Sequence, residues 1–344
     1  MRHKREKTAR LVLTGAVILM SFCCLLIGSS HMTVRECIDA MKGSGSVADI
    51  RIIRAIRLPR VLAALIAGAG LSLSGLMMQT ALDNPMASPS TLGVSNAAVF
   101  GANLSIIVFS GGYLSTGHNV ENYTVGASPY ATSLLAFGFA ALSILLFLGL
   151  CKLKSFSPSV VVLSGVAMGS VWTAATTVLQ FYATDVGLSA AVIWSFGDLG
   201  RATYKTDFIM FAVTLLGYLV FIRFRWHCNA LLSGDATARS MGVSVDRLRF
   251  GCLLLSSLIT AVIVSFLGII GFVGVICPHL VKKLLGEDHR VTLPLSALSG
   301  SLLLLLSDTL SRSMGNGSAL PVGAVTSLLG APFFVGILLG RKGE

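Results

Sequence analysis

Long apolar runs separated by short polar connections organise this chain. At about 20 residues per bilayer crossing, the runs at roughly 11–30, 58–82, 92–110, 130–151, 158–180, 206–224, 249–270, 271–286, 291–311 and 321–340 predict about ten membrane helices. An even number puts both termini on one side, and the basic stretch RHKREKTAR makes that side the cytoplasm. The run from Leu11 to Ile27 is longer than a cleavable leader needs, so it reads as an uncleaved first helix. Glycines and Pro278 break the run GIIGFVGVICPHL, which leaves a half-helix or re-entrant piece open there.

Among the polar connections, RFRWHCNALLSGDATARSMGVSVDRLR (223–249) is the longest that carries both signs of charge. It predicts a short helix over 236–241 with Asp235 capping its free N–H groups and Gly242 as a left-handed stop. Ala230, Leu231, Leu232, Met241 and Val243 flank it, as in a helix offered to a partner's groove. Seen alone, the same loop also fits a solvated connection. The other cytoplasmic connections carry Lys152, Lys154, Lys282, Lys283 and Arg290, in keeping with the positive-inside bias. One outer connection departs from it: Arg51, Arg54, Arg57 and Arg60 precede the run at 58–82. Their spacing in VADIRIIRAIRLPR predicts an interfacial helix with a basic stripe, and Pro59 fits the first turn of the next span. Contact with lipid headgroups accounts equally well for Arg51 and Arg54.

Small residues distinguish the interior helices. Ala64, Gly68 and Ser72, with Ala67 and Gly75, predict that the 58–82 helix is enclosed by others, because close approach supplies the packing in lipid. Gly165, Gly169 and Thr173 repeat the habit. Gln79 and the stretch DNPMASPSTLGVSNAA place prolines and polar residues at the membrane edge, where protein or a wet cavity must satisfy the backbone. A covered turn and a gate both fit Asn84 and Pro85. Gly330 and Pro332 together predict a kink in the last helix.

Composition sharpens the class. Hydrophobic residues are 54% of 344 positions and charged ones 12%, the balance of one polytopic transmembrane domain over 1–344 with a cytoplasmic loop at about 225–248. The net charge of +11 lies in short clusters without a basic groove, so no nucleic-acid partner is expected. Seven cysteines contain no C-x-x-C pair and six histidines are scattered, so neither a disulfide framework nor a metal site is expected. There is no phosphate-binding G-x-x-x-x-G-K-[ST] stretch and no hydrolase motif. Asp83, Asp185, Asp198, Asp207 and Asp308 all fall near span ends, and Asp308 with Arg312 reads as an i,i+4 pair. A carboxylate buried in mid-span, as a gradient-driven carrier commonly shows, is missing.

Several stretches together resemble the FecCD-type permeases of bacterial ABC importers for ferric siderophores, haem and cobalamin. They are RLPRVLAALIAGAGLSLSGLMMQTALDNPMASPSTLGVSNAA (57–98), LLSGDATARSMGV (231–243), GFVGVICPHLVKKLLGEDHRVTLPLSAL (271–298), LLLSDTLSR (304–312) and LPVGAVTSLLGAPFFVGILL (320–339). Met86, Cys277 and Lys282 are small departures from the family pattern. The resemblance implies a type II ABC importer permease fold in the bacterial inner membrane, an all-α chain that works as a dimer, most simply a homodimer. It implies that Leu232, Asp235, Ala238, Arg239, Met241 and Gly242 couple to an ATPase subunit. Arg57, Arg60 and Arg312 match positions that meet acidic residues of an extracytoplasmic substrate-binding protein. The pathway would be lined by the spans at 158–180 and 321–340, with Gly165, Gly169, Gly330 and Pro332. The inner gate would fall at Ser157, Pro158 and Ser159, with Asn84 and Pro85 as further gate or pathway candidates. No cofactor is expected on this chain, since ATP and Mg belong to the partner ATPase. A gradient-driven secondary transporter is the alternative expectation.

Overall fold

The computed structural model describes residues 2–28, 32–110, 128–153, 158–314 and 319–340. Among them the structure is helical, apart from turns and one isolated parallel bridge between Phe196 and Ile269. Seven helices among the described residues are long and apolar enough to cross a bilayer. We number all helices in chain order: α1 (Arg2–Leu26), α2 (Val34–Lys42), α3 (Val47–Leu82), α4 (Val94–Phe109), α5 (Pro129–Leu153), α6 (Pro158–Phe181) and α7 (Asp185–Ser195). Then follow α8 (Tyr204–Leu231), α9 (Asp235–Ser240), α10 (Val245–Leu267), α11 (Val273–Leu285), α12 (His289–Met314) and α13 (Val322–Gly340).

The predicted spans map onto seven full-length helices, the 19-residue α13 and two shorter pieces, α4 and α11. The irregular run at 271–286 becomes α11, whose 13 residues reach only about 20 Å at 1.5 Å per residue, short of a hydrocarbon core of about 30 Å. Pro278 lies inside it.

The arginine-rich stretch is not a separate interfacial helix. It forms the first part of α3, a continuous 36-residue helix from Val47 to Leu82. Pro59 keeps the first-turn place expected of it in the α-helical part Leu58–Leu82, although the helix continues upstream of it. Residues Ile52–Arg57 just before it are π-helical, with the Leu58 N–H reaching the Ile53 carbonyl. The wider turn accommodates the amide that proline lacks.

The chain divides into two compact units. One comprises Met1–Leu76, Asp198–Asn229 and Ile270–Glu344; the other comprises Met77–Gly197 and Ala230–Ile269. In the first, α1 packs on α12, and α11 packs on α12 and α13. Ala9 and Leu13 of α1 lie against Val281, Val291 and Leu295. The small residues of α3 act as the pattern predicts. A Cβ on Gly68 would stand 2.3 Å from the Gly300 carbonyl oxygen, and one on Gly75 would stand 1.7 Å from that of Gly274. Helix backbones touch at both crossings. The Ser301 hydroxyl reinforces the first by donating to the Leu65 carbonyl at 2.7 Å.

In the second unit α4 packs on α5, α6 and α10. Its core gathers Leu92, Ala98, Ala136, Phe147, Trp172 and Leu253. Phe100, Phe139 and Trp172 form an aromatic triad with centroids 4.9 to 5.7 Å apart. The Trp172 indole N–H donates to Ser143 Oγ at 2.9 Å, which satisfies its polar atom inside an apolar core.

Candidate functional site

In the second unit, a polar groove runs along α6. The turn Pro89–Leu92 and the start of α4 approach it closely: a Cβ on Gly165 would stand 2.6 Å from the Thr91 carbonyl oxygen. Gly93, at φ 75°, turns the chain into α4 beside Gly169. Asn96 Nδ2 then reaches the Gly169 carbonyl at 3.1 Å and Thr173 Oγ1 at 2.9 Å. The resulting groove of about 480 Å³ is lined by Ser90, Thr91, Asn96, Ser170 and Thr173 among others, and none of its lining side chains is ionised at neutral pH. A second cavity of about 500 Å³ shares Val166 with it and is lined by Asp83, Asn84, Ser159 and Leu163.

Asn84, Ser159, Gly165 and Gly169 thus gather along one side of α6. Asn84 stabilises its own turn, its Oδ1 accepting from the Met86 N–H at 2.9 Å. Pro85 is exposed beside it. Ser157 and the side chain of Pro158 lie outside the described residues. Gly330 and Pro332 belong to the first unit, where a Cβ on Gly330 would meet the Phe272 ring at 2.6 Å. Pro332 lies within α13 and is exposed.

The predicted cytoplasmic helix is α9. Gly242 adopts φ 82°, the left-handed stop expected of it. Asp235 is not its cap, because Gly234 holds that position without a side-chain bond. Asp235 instead occupies the first turn, where its two carboxylate oxygens each accept at 2.8 Å from Arg249 Nη1 and Nη2 of α10. Arg249 is buried, and its Nε donates at 2.8 Å to the carbonyl of Ala81 in the last turn of α3. One guanidinium therefore ties α9 to the polar turn that carries Asn84.

Ala238 is fully buried with Leu231, Val243 and Val245, which seats the inner face of α9. Arg239 and Met241 point outward, Met241 with 63% exposure, and Leu232 is half-buried. Arg239 reaches Asp246 at 3.8 Å in an exposed pair. The forked role of Arg249 escaped the sequence reading, since nothing in a 14-residue separation signals a contact.

In the first unit, Arg57, Arg60 and Arg312 converge. Arg60 Nε lies 2.7 Å from Asp308 Oδ1, Arg312 Nε lies 3.0 Å from Asp308 Oδ2, and Arg60 also reaches Asp198 at 3.7 Å. The Asp308 side chain is 1% exposed. Arg57, 4% exposed, donates to the carbonyls of Leu25 at 2.7 Å and Leu26 at 3.0 Å. Arg312 Nη1 donates to those of Cys24 at 3.1 Å and Ile27 at 2.7 Å. These donors satisfy the C-terminal carbonyls of α1 that no helical N–H can reach. The expected i,i+4 pair of Asp308 and Arg312 is present, within a larger network. Among the described residues, no group of three or more His, Cys, Asp or Glu side chains could hold a metal ion.

Known proteins share this arrangement of sequence. Residues 13–340 match the FecCD transport family. A protein of Methanocaldococcus jannaschii, named as a candidate ABC transporter permease, is 44% identical over 98% of this chain and 95% of its own length. The hemin transport system permease protein HmuU of Yersinia pestis is 35% identical over 83% of each chain. Among solved structures, an inward-facing candidate metal-chelate type ABC transporter has a TM-score of 0.81 at 28% identity, covering 98% of this chain and 99% of that one. The groove, the α9 loop and the arginine network all fall inside the matched stretch, and the chain belongs to the FecCD transport family, as a multi-pass membrane permease of the ABC importer class.

Proposed function

We propose that the chain is the membrane-spanning part of an importer that moves an iron–siderophore, haem or cobalamin type of chelate into the cytoplasm. In this reading two copies form the pathway, two ATPase subunits holding ATP and Mg drive it from the inside, and an extracytoplasmic substrate-binding protein feeds it. The observation that carries the reading is the fork of Arg249 between Asp235 and the Ala81 carbonyl. An ATPase subunit that moves α9 pulls on Asp235, and the rigid guanidinium passes that displacement to the end of α3 and the Asn84 turn. That turn, Ser159 and Leu163 share the wall of one cavity, so a shift there alters an opening beside α6. The groove above it offers hydroxyl and amide groups without charge, which suits a cargo that must bind weakly enough to leave.

Arg57, Arg60 and Arg312 shape the outer mouth in this reading, with exposed Arg51 and Arg54 nearby on α3. Acidic residues of a binding protein would orient on the exposed Arg51 and Arg54 more than gain affinity, since exposed ion pairs are worth about 0–1 kcal/mol each. Arg57, Arg60 and Arg312, by contrast, are largely buried on partners of their own. A gradient-driven carrier is less well supported, because the deeply buried Asp308 already faces two guanidinium groups.

The test is reconstitution in liposomes with and without a candidate ATPase and binding protein. Uptake of a ferric chelate that requires both partners and ATP is the expected result. Accumulation by the chain alone under an ion gradient would overturn the proposal.

A further inference from the structure

The first unit carries a groove and a cluster of cations that the proposed transport reading leaves without a role. Phe211, Leu215 and Tyr218 share one face of α8, opposite Leu65 and Ala69 of α3 and Ala297 of α12. They enclose an open, almost wholly apolar groove of about 250 Å³. Arg225, fourteen residues beyond Phe211, returns to the same face within about 40° at 3.6 residues per turn. Tyr218, which lines the groove, lies about two turns before Arg225 on α8. Arg10 of α1 reaches the same end through Arg290, whose guanidinium shares the Trp226 ring with Arg225. One apolar slot therefore leads to two guanidinium groups.

The surrounding groups fix which charges face it. Arg10 Nη2 donates to the Arg290 carbonyl at 3.1 Å, which brings α1 to the start of α12. The Arg290 guanidinium stacks 4.8 Å from the ring centroid of Trp226, and that of Arg225 lies 5.9 Å from the same centroid. Asp288 engages Arg290 through bonds of 2.7 and 2.9 Å, and Glu6 also acts on it. Arg290 is thus compensated locally. Arg10 and Arg225 form no ion pair with an acidic side chain among the described residues.

We propose that this is a site for one anionic phospholipid, with an acyl chain in the groove and its phosphate between Arg10 and Arg225. Trp226, next to Arg225 toward the C-terminal end of α8, is the kind of aromatic side chain that marks the headgroup level. Basic residues there attract anionic lipid of the inner leaflet. A lipid fits better than a soluble anion or a protein segment. The next residues on α8, Leu216 and Leu219, are large, apolar and exposed, so this side of the helix faces hydrocarbon, and a free phosphate has no tail to fill the slot. A bound lipid would staple α1, α8 and α12 together at their cytoplasmic ends.

Native mass spectrometry of the full chain tests this, with phosphatidylglycerol, phosphatidylcholine of the same acyl chains and inorganic phosphate as probes. The unmodified chain should retain phosphatidylglycerol in preference to phosphatidylcholine. The double variant Arg10→Gln/Arg225→Gln should bind phosphatidylglycerol roughly thirtyfold more weakly, the factor expected for two interfacial arginine charges. Arg10→Lys/Arg225→Lys should keep most of the preference, which separates lost charge from lost folding. Ala69→Phe fills the groove, leaves both arginines in place, and should also release the lipid. Equal retention of the two lipids, or unchanged phosphatidylglycerol binding in the Gln double variant, would overturn the site. Inorganic phosphate competing as strongly as the lipid would do so as well.

Discussion

Arg249 grips both carboxylate oxygens of Asp235 at 2.8 Å each, across the loop between α9 and α10. The contact is a planar fork on a planar acceptor, with the remaining nitrogen committed to the Ala81 carbonyl. A lysine at this position keeps the charge but cannot make all three bonds at once. Arg249→Lys should therefore cost about 1.5–3 kcal/mol for each charge-assisted bond lost. In the assembled transporter, ATP-driven uptake should fall at least tenfold, while ATPase binding, read by co-purification, persists through the exposed face of α9. Retention of full uptake would remove Arg249 from the coupling path.

Asp308 makes the opposite kind of prediction, about stability. Its carboxylate lies between Arg60 and Arg312 with almost no solvent contact. Asp308→Asn is nearly isosteric, yet it leaves Arg312 without a carboxylate and Arg60 with only its 3.7 Å contact to Asp198. Removing one partner of a buried pair costs about 3–5 kcal/mol. The variant should melt well below the unmodified chain in detergent, by differential scanning fluorimetry. Raised salt should not restore it, because a buried network is screened little.

Much of this was legible in the sequence, and the rest was not for identifiable reasons. Gly68 and Gly75 announced close helix crossings because lipid offers little else to drive packing, and the Gly300 and Gly274 carbonyls stand where a side chain would be. Gly242 announced its own φ. Pairings across long separations stayed hidden, as with Arg249 and Asp235, or Arg60 and Asp308 from 248 positions away. The cap assigned to Asp235 failed because a long-range arginine competed for the same carboxylate. Helix α2 was missed although its signal was present. Thr33 and Glu36 form a capping box, with the Thr33 N–H donating to Glu36 Oε2 at 2.8 Å and the Glu36 N–H to Thr33 Oγ1 at 3.3 Å. Its nine residues are too few and too polar to stand out beside membrane spans.

Asp288, between α11 and α12, allows a prediction in pH. The Arg290 guanidinium, the Arg290 backbone N–H and Asn229 Nδ2 all donate to its carboxylate, and Arg290 foremost holds its pKa well below the usual range. A folded-state pKa below the unfolded value of about 3.9 contributes stability that is complete above that value and disappears as pH falls through the folded one. The unmodified chain should exceed Asp288→Asn in melting temperature by a constant margin from pH 8 to about 5. The margin should shrink only below about pH 4. Shrinkage near pH 6 would mean that another group controls the difference.

Asp207 separates the two ways of driving transport. It lies in the first turn of α8, 3% exposed, and neither carboxylate oxygen meets a hydrogen-bond donor among the described residues. A carrier driven by protons or sodium would make use of such a carboxylate. A permease moved by ATPase subunits has no need of it, and an unpaired acid is costly to bury. Asp207→Asn should leave ATP-driven uptake within about twofold of the unmodified transporter and should not lower its melting temperature, a surface-like change despite its burial. Uptake should be measured in the same liposomes with and without an imposed pH gradient. If the substitution abolishes uptake while Arg249→Lys leaves it intact, the force arises at α8 within this chain and not at α9.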